Sequence, residues 1–508
     1  MRGETHTGQA MGLEPEPFHL SSLGPVRDVA DGLSATCLEP DARLAQMGPA
    51  EYLASNARMF TKGGSVAREY WADRALGARI QGHLEGSELE MVDLCSMTCN
   101  TILGTNDAWV KLRQTSFLLS DHPHYLPARI GSDLFHRVAH RILERLGQFG
   151  GPEEFVINLR QCNGSDAVEL ALHMAWRAAR EITTKRKLAT FRGGYHGESV
   201  LASLIAEDDP AFGSGRALVD HVENVTTFAS PRCTDDGFLT AETEAILDEI
   251  DRNGDQYFAV LIEPIQWRNS VHLVPVKFLR RLREICTRNS ICLVFDEVQN
   301  AFGYTGSIFY AETSGVCPDV MATGKALTSG HGALAIVVAR RRYSTVEAPF
   351  GSKTNAGDLL SFVAVDAVLD RLLGMFPHEH DLLPAWLPPS LSAELEVGLL
   401  SSRYDAVVGH LDDFAGDLQK RHQGLIGPVT GLGLVRGLTI LDGGGEPSGD
   451  LAAAVSDLGI KHGVYVRRAG HAVYVKPSLS TKSEDFRLAT TRLAGLLDEL
   501  ARRNDGAK

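Results

Sequence analysis

Apolar and polar positions follow two rhythms along this chain, and the changes of rhythm mark its parts. Between residues 155 and 340, short continuous apolar runs recur. Phe155-Val156-Ile157-Asn158-Leu159 is the first, and Phe258-Ala259-Val260-Leu261-Ile262 and Ile291-Cys292-Leu293-Val294-Phe295 are the clearest. Runs of this length with turn-forming or charged flanks suit strands buried on both faces of a parallel sheet. Helical periods separate them. Ala167 to Glu181 sets Leu170, Met174 and Ala178 on one face, and Arg280 to Arg288 supplies a helix between the last two runs. The alternation predicts an α/β fold: a doubly wound, mostly parallel central sheet with helices on both faces.

The flanking segments read differently. Leu84 to Leu94 is a turn entering a strand, and Ile130 to Leu146 carries Leu134, Val138, Ile142 and Leu146 at helical spacing. Residues 376–400, with Pro377, Pro384, Pro388 and Pro389, look irregular and are expected to be a linker or insertion. Beyond 400 the pattern predicts a helix (Leu411 to Gln423), a glycine-rich strand (Gly431 to Gly437), a second helix, and paired short strands around Val464 and Val473. This is a smaller α+β companion domain. The expected division is an N-terminal extension (1–65), the N-terminal part of the small domain (66–110), a large domain (111–375), the linker (376–400) and the C-terminal small domain (401–508). Residues 1 to about 60 are rich in Gly, Pro, Glu and Ala with weak periodicity; they are expected to wrap a partner subunit or to be partly disordered.

Composition narrows the function classes. The chain has 508 residues, 44% of them hydrophobic, ample for a buried core. Its net charge of −14 makes nucleic acid a poor partner. The eight cysteines are scattered with no C-x-x-C pair, which reads as reduced, cytoplasmic usage. Cys95 and Cys99 stand four apart, a spacing that leaves a minor metal or redox reading beside the ordinary one. The His122-Pro123-His124 and His378-Glu379-His380 clusters are expected to be surface or packing residues, so no metal is predicted. No secretory signal and no membrane-length apolar stretch is expected.

Five pieces carry candidate chemistry. Lys325 follows an apolar segment, in Ala322-Thr323-Gly324-Lys325, and Asp296 closes the run Ile291 to Phe295. A lysine and an aspartate at two strand ends suit a carbonyl cofactor: the amine forms a Schiff base, and the carboxylate keeps a ring nitrogen protonated. That pair points to pyridoxal 5'-phosphate. In Asp296-Glu297-Val298-Gln299, Val298 would pack on the ring and Gln299 would bond its hydroxyl. Asn163-Gly164-Ser165-Asp166-Ala167 opens a helix, where free N–H groups, Gly164 and Ser165 would hold a phosphate. Gly193-Gly194-Tyr195-His196-Gly197 sets an aromatic between glycines, able to lie over a planar ring. Glu263, in Glu263-Pro264, ends another run and would face the same site. Each feature has a bland reading as well, respectively a surface lysine, a salt-bridge partner, an N-cap, a turn and a surface acid. Their order within one α/β frame argues for the joint reading.

With these residues the chain resembles the class-III (omega-type) aminotransferases, fold-type-I pyridoxal-phosphate enzymes, over about residues 70 to 500. The strongest stretch runs from Leu293 through Gly303-Tyr304-Thr305-Gly306 and Gly315-Val316-Cys317-Pro318-Asp319 to Lys325. The resemblance implies that Lys325 and Asp296 are catalytic and that Tyr195 and Val298 sandwich the ring. Lys353-Thr354-Asn355-Ala356-Gly357-Asp358 resembles the segment whose threonine reaches the neighbouring subunit's phosphate, which implies a homodimer with Thr354 completing the site. Three departures stand out. Trp267-Arg268-Asn269-Ser270 replaces a glycine-rich stretch. Tyr304 stands where the family has arginine. Tyr474, in Val473-Tyr474-Val475-Lys476-Pro477-Ser478-Leu479, falls where an arginine grips the substrate carboxylate. Lys476, Arg268 or Arg467 would have to substitute, and a lysine cannot reproduce a guanidinium fork.

Amino transfer between an amine or amino acid and a carbonyl compound is therefore the expected activity. The alternative keeps the cofactor and changes the reaction to elimination, replacement, decarboxylation, amino-group migration or carbon–carbon bond formation, as in specialised biosynthesis. A non-catalytic scaffold conflicts with the retention of Lys325 and Asp296. A dinucleotide-dependent dehydrogenase conflicts with the lack of a G-x-G-x-x-G after the first strand of the α/β region.

Overall fold

A computed structural model describes residues 70–84, 87–179, 184–205, 224–344, 351–383, 385 and 387–505. The expectations for residues 1–65, and the end of the helix expected to reach Glu181, lie outside these. Three antiparallel strands come first: β1 (Tyr70–Leu76), β2 (Arg79–Leu84) and β3 (Ser87–Asp93). The apolar runs then become strands of one large sheet. It holds β4 (Phe155–Gln161), β5 (Lys187–Phe191), β6 (Val225–Phe228) and β7 (Tyr257–Ile262). After a small hairpin of β8 (Ile265–Gln266) and β9 (His272–Leu273), it adds β10 (Cys292–Asp296), β11 (Val320–Thr323) and β12 (Ala335–Arg340). The order is β4-β12-β11-β10-β7-β5-β6; β12 runs against both neighbours, and the pairs among β11, β10, β7, β5 and β6 are parallel.

The sheet is buried on both faces because its side chains alternate between two cores. Val260, Ile262, Leu293, Phe295 and Met321 point into one core, which includes Phe278, Leu279 and Leu282 of the helix Val276–Arg288. Ala259, Leu261, Val294, Val320 and Ala322 point into the other, under Val168, Ala171 and Ala175 of the helix Gly164–Ala179. Period-two alternation into two apolar layers is what produces a continuous apolar run in sequence. The predicted α/β architecture, with helices on both faces, is thus observed. The helix Leu359–Leu373 is buried along most of its length, and it carries two buried carboxylates. Asp366 pairs with Arg113, Arg137 and Arg141, and Asp370 with Arg113 and Arg141.

The smaller part joins both ends of the described chain. β13 (Ile426–Leu432), β14 (Val435–Ile440), β16 (Arg467–Ala469) and β17 (Ala472–Val475) form one antiparallel sheet, while β15 (Val464–Tyr465) adds in parallel to β3. Three expectations are corrected. The glycine-rich stretch 431–437 is not one strand: it is the end of β13, the two-residue turn Gly433-Leu434 and the start of β14. A Cβ on Gly431 (φ +131°) would lie 2.0 Å from the Val435 carbonyl oxygen, so glycine is what allows the tight return. The strands at Val464 and Val473 do not pair with each other; they belong to different sheets. Residues 376–400 are largely helical: Pro377–Leu382 is a 3₁₀ turn, and Pro389–Val397 and Leu399–Ser402 are helices. Pro377 and Pro389 occupy first turns, where no N–H is needed, and so start these elements instead of breaking them. Among the described residues no helix is long and apolar enough to cross a membrane.

Candidate active site

The carboxyl ends of the inner strands converge on one edge of the sheet. Asp296 ends β10, Glu263 follows β7, Lys325 comes two residues after β11, and the Tyr195 turn follows β5. In open α/β sheets this edge is where ligands bind. Lys325 is half-buried and holds a left-handed backbone, φ +46°. A side chain there is strained, and such strain concentrates at sites where geometry is functional.

Gln299 sits at the centre. Its Oε1 accepts a hydrogen bond from Lys325 Nζ at 3.1 Å, and its Nε2 donates to Glu263 Oε1 at 3.2 Å. Asp296 is buried; its Oδ2 is 2.8 Å from His196 Nδ1 and its Oδ1 accepts from the Val298 N–H at 3.1 Å. Both carboxylate oxygens are thereby fixed in direction. Glu263, also buried, accepts from the Tyr195 N–H at 3.1 Å and the Trp267 N–H at 3.4 Å. Burial and then Asp296 push its carboxyl well above the usual range, opposed by those two N–H groups.

The predicted phosphate loop and aromatic turn touch. Ser165 Oγ accepts from the Glu198 N–H at 3.1 Å. A Cβ on Gly197 (φ +118°) would come 2.1 Å from that Oγ, and one on Gly164 would come 2.6 Å from Val298 Cγ1. Both approaches depend on the missing side chain. Tyr195 lies with Lys325 Nζ 6.0 Å and Arg268 Cζ 4.7 Å from its ring centroid, and its hydroxyl donates to Glu198. Thr354 stands apart and exposed on the turn Thr354–Gly357, beside Lys353, which pairs with Asp166 at 3.3 Å.

The residues that depart from the family pattern collect next to Gln299. Tyr474 packs edge-on against Trp267, with ring centroids 4.9 Å apart. Lys476 is fully buried and donates to the Gln299 main-chain oxygen. Its Nζ lies 3.4 Å from the centroid of Tyr304 and 4.7 Å from that of Trp267. Arg467 is at the surface, bonded to Thr98 Oγ1 at 3.0 Å. Two features are not legible in the sequence pattern. His196 stands out there only as part of a turn, and its bond to Asp296 spans 100 residues. Ser96, Met97, Thr98 and Cys99 all have left-handed φ, from +45° to +67°, and bring the Cys99 thiol to 3.8 Å from Gln299 Oε1. Asp93 caps this turn by accepting from the Cys95 and Met97 N–H groups at 2.8 Å each. Burial raises its carboxyl to about 6.

Comparison with known proteins bears on this arrangement. The model of the family "Aminotransferase class-III" matches residues 64–377. The chain is 35% identical over 177 residues to an adenosylmethionine-8-amino-7-oxononanoate aminotransferase of Mycobacterium leprae, covering 34% of this chain and 39% of that protein. It is 31% identical over 271 residues to acetylornithine aminotransferase 1 of Bradyrhizobium diazoefficiens, covering 53% and 56%. These alignments span about half the length of those relatives, 39% and 56%. An omega-aminotransferase of Caulobacter vibrioides is 28% identical over 72% of this chain and 81% of its own. In fold, the chain is similar to an amine transaminase of an uncultivated Pseudomonas species, solved with pyridoxal phosphate bound. The TM-score is 0.68 at 21% identity, over 87% of this chain and 98% of that one.

Proposed function

Since the chain belongs to the class-III aminotransferase family, we propose that it moves an amino group between a small amine or amino acid and a carbonyl compound, with pyridoxal 5'-phosphate as cofactor. The single observation behind this is the Gln299-centred cluster, which gathers Lys325, Glu263 and the Asp296–His196 pair on one sheet edge. The residues fit the cofactor. Lys325 would hold its aldehyde carbon, Asp296 its ring nitrogen and Gln299 its ring oxygen. Tyr195 and Val298 would take the two ring faces. Gly164, Ser165 and Thr354 of the partner subunit would take the phosphate, so the working unit is a homodimer. The close approaches at Gly164 and Gly197 supply the cradle.

Bound there, the cofactor supplies an electron-accepting ring that stabilises negative charge on the substrate carbon carrying nitrogen. Asp296, steered by His196 and the Val298 N–H, presents a carboxylate to the ring nitrogen and favours its protonated form. The Lys325 amine, oriented by Gln299 Oε1, takes and returns a proton at the substrate carbon. Glu263 holds Gln299 and the Tyr195 turn in place. Buried Trp267 and Tyr304 exclude water from the side of Lys476. Cytoplasmic residence and the domain division drawn from the sequence belong to the same proposal; the seven described cysteines are all unpaired, in keeping with a reducing compartment.

The test is direct. Purified protein loaded with pyridoxal phosphate should, after borohydride reduction, carry the cofactor on the Lys325 peptide. Addition of amines should convert the cofactor to its pyridoxamine form with release of a carbonyl product. Fixation on another lysine, or none, defeats the assignment. Tyr474, packed on Trp267 where a carboxylate-gripping arginine would stand, favours a second reading: a different reaction of the same cofactor. Substrate consumption without pyridoxamine would select it.

A further inference from the structure

A cavity of about 490 Å³ lies beside the left-handed turn and opens to solvent. Two stretches of chain wall it: residues between Met97 and Asn106, with Ala75, on one side, and Ser329 to Gly332 on the other. This size suits a small ligand. The walls are fixed before anything binds. Ser329 Oγ accepts from the Leu103 N–H at 3.1 Å, Thr328 Oγ1 donates to Gly332 O at 2.7 Å, and the His331 carbonyl accepts from Gln114 Nε2 at 2.9 Å. A Cβ on Gly330 (φ +80°) would lie 2.9 Å from Thr101 Cγ2, so the two stretches meet because that side chain is missing. Met97, Asn106 and Ser329 hold left-handed φ of +45°, +58° and +48°. Strain of this kind persists only where the surroundings enforce it, and it collects at ligand sites.

The cavity is polar but uncharged. Its polar side chains are those of Asn100, Thr101, Thr105, Asn106, Ser329 and His331, and among the described residues no carboxylate, lysine or arginine lines it. Burial pushes the His331 imidazole below its ordinary value; Asp107 opposes this and Lys111 adds to it, so the ring is neutral at pH 7. Asn100 Nδ2 donates to Met97 O at 3.3 Å and Asn106 Nδ2 to Ala75 O at 2.6 Å, which leaves both side-chain oxygens as acceptors. Thr101 is only 7% exposed, and its Oγ1 has no hydrogen-bond partner among the described residues. A buried hydroxyl left unpaired is costly, so this one calls for a group that enters from the cavity. We propose that the cavity is a binding site for a neutral, hydroxyl-rich group, a sugar or polyol. A hydroxyl both donates and accepts, as this mixed wall requires. An ammonium only donates, a carboxylate only accepts, and neither meets a counter-charge here. The group has two sources. One is the tail of the substrate: one wall begins four residues after Lys325, and the other carries Cys99 to Gln299. The other is a separate molecule of the same chemistry.

Binding is read first, in the full chain as purified, and needs no turnover. Sorbitol, glutarate and choline are titrated against wild type, Thr101→Val and Asn100→Leu by saturation-transfer NMR. Sorbitol alone should bind wild type, and each variant should weaken it by about 3- to 10-fold, the loss of one hydrogen bond. Asn100→Leu carries the test if Thr101→Val does not fold. Absent sorbitol binding, equal binding in a folded variant, or a preference for glutarate or choline overturns the proposal. A fall in molecular mass of the variants by light scattering overturns it too, because the cavity would then belong to a subunit contact. The second arm uses enzyme loaded with pyridoxal phosphate and rests on the amino-transfer reading. Glucamine and hexylamine are compared as amino donors. If the site holds the substrate's tail, sorbitol competes with glucamine, and Thr101→Val lowers kcat/KM for glucamine by about 3- to 10-fold while hexylamine is unchanged. If it holds a separate molecule, sorbitol alters hexylamine turnover and glucamine has no advantage. Either result supports the site. Sorbitol binding without turnover of either amine would leave the site standing and count against the amino-transfer reading alone.

Discussion

Gly164→Ala offers the sharpest test of the cofactor cradle. The added methyl would sit 2.6 Å from Val298 Cγ1 and 3.1 Å from Cγ2. Carbon atoms rest at about 3.5–4.0 Å, so one side must give by about 1 Å. Val298 is β-branched and stiff about χ1, which leaves the backbone of residues 296–299 to move. That segment carries Asp296 and Gln299, and the Val298 N–H is bonded to Asp296. Overpacking of this kind costs about 1–3 kcal/mol. If the strain falls on the bound state, affinity for pyridoxal phosphate should drop by roughly 5- to 150-fold. The assay is a cofactor titration followed by absorbance, in a cycle with Val298→Ala. Val298→Ala alone should weaken binding modestly by thinning one ring face. In its background Gly164→Ala should cost less than about 3-fold, because the clashing methyls are gone. An identical penalty for Gly164→Ala in both backgrounds refutes the steric argument.

Two further predictions concern stability. Asp366→Asn leaves Arg141 buried and Arg113 and Arg137 without one carboxylate, and should cost about 3–5 kcal/mol in urea unfolding, read from the midpoint at constant m; an unchanged midpoint contradicts it. Asp93 titrates near 6 in the folded chain against an ordinary 3.8 when exposed, so the folded chain holds the extra proton between those values. Its contribution is complete below about pH 4 and is lost as pH rises through 6. Relative to Asp93→Asn, wild type should lose about 2 kcal/mol between pH 4 and pH 7, by denaturation at each pH, and parallel profiles contradict the assignment.

What is legible in the sequence follows from where each signal is stored. β7 and β10 are readable because both their faces are apolar, so the run is unbroken. Glu263, Asp296 and Lys325 are readable as polar residues immediately past such runs. The Asp296–His196 bond and the Lys476–Gln299 bond join residues 100 and 177 apart, and nothing local announces them. The hairpin at Gly433 reads as a strand because apolar residues flank it on both sides. The prolines of 376–400 read as breakers because sequence alone does not distinguish a first-turn proline from an interior one.

The left-handed turn is invisible for a different reason, and that reason can be tested. Positive φ normally calls for glycine or asparagine, and Ser96-Met97-Thr98-Cys99 has neither. Each residue there costs about 1–2 kcal/mol relative to the right-handed form. The turn persists because its bonds are satisfied: Cys99 N–H to Cys95 O and Asn100 N–H to Ser96 O at 2.8 Å each, with the Asp93 carboxylate below and Lys476 O beside it. Met97 is half-buried with φ 45° and ψ 55°. Glycine at this position removes the conformational cost and loses some apolar contact. Valine keeps apolar surface and adds β-branched crowding where φ is positive. Met97→Gly should therefore be more stable than Met97→Val by about 2 kcal/mol, by urea unfolding, although valine is favoured over glycine in ordinary strands. Because Asp93 and Lys476 anchor the same turn, the valine variant should also weaken cofactor binding, while the glycine variant leaves it near wild type. A valine variant as stable as the glycine one would mean that residues 96–99 adopt right-handed or extended backbone, and that the Cys99 thiol does not reach Gln299 by this route.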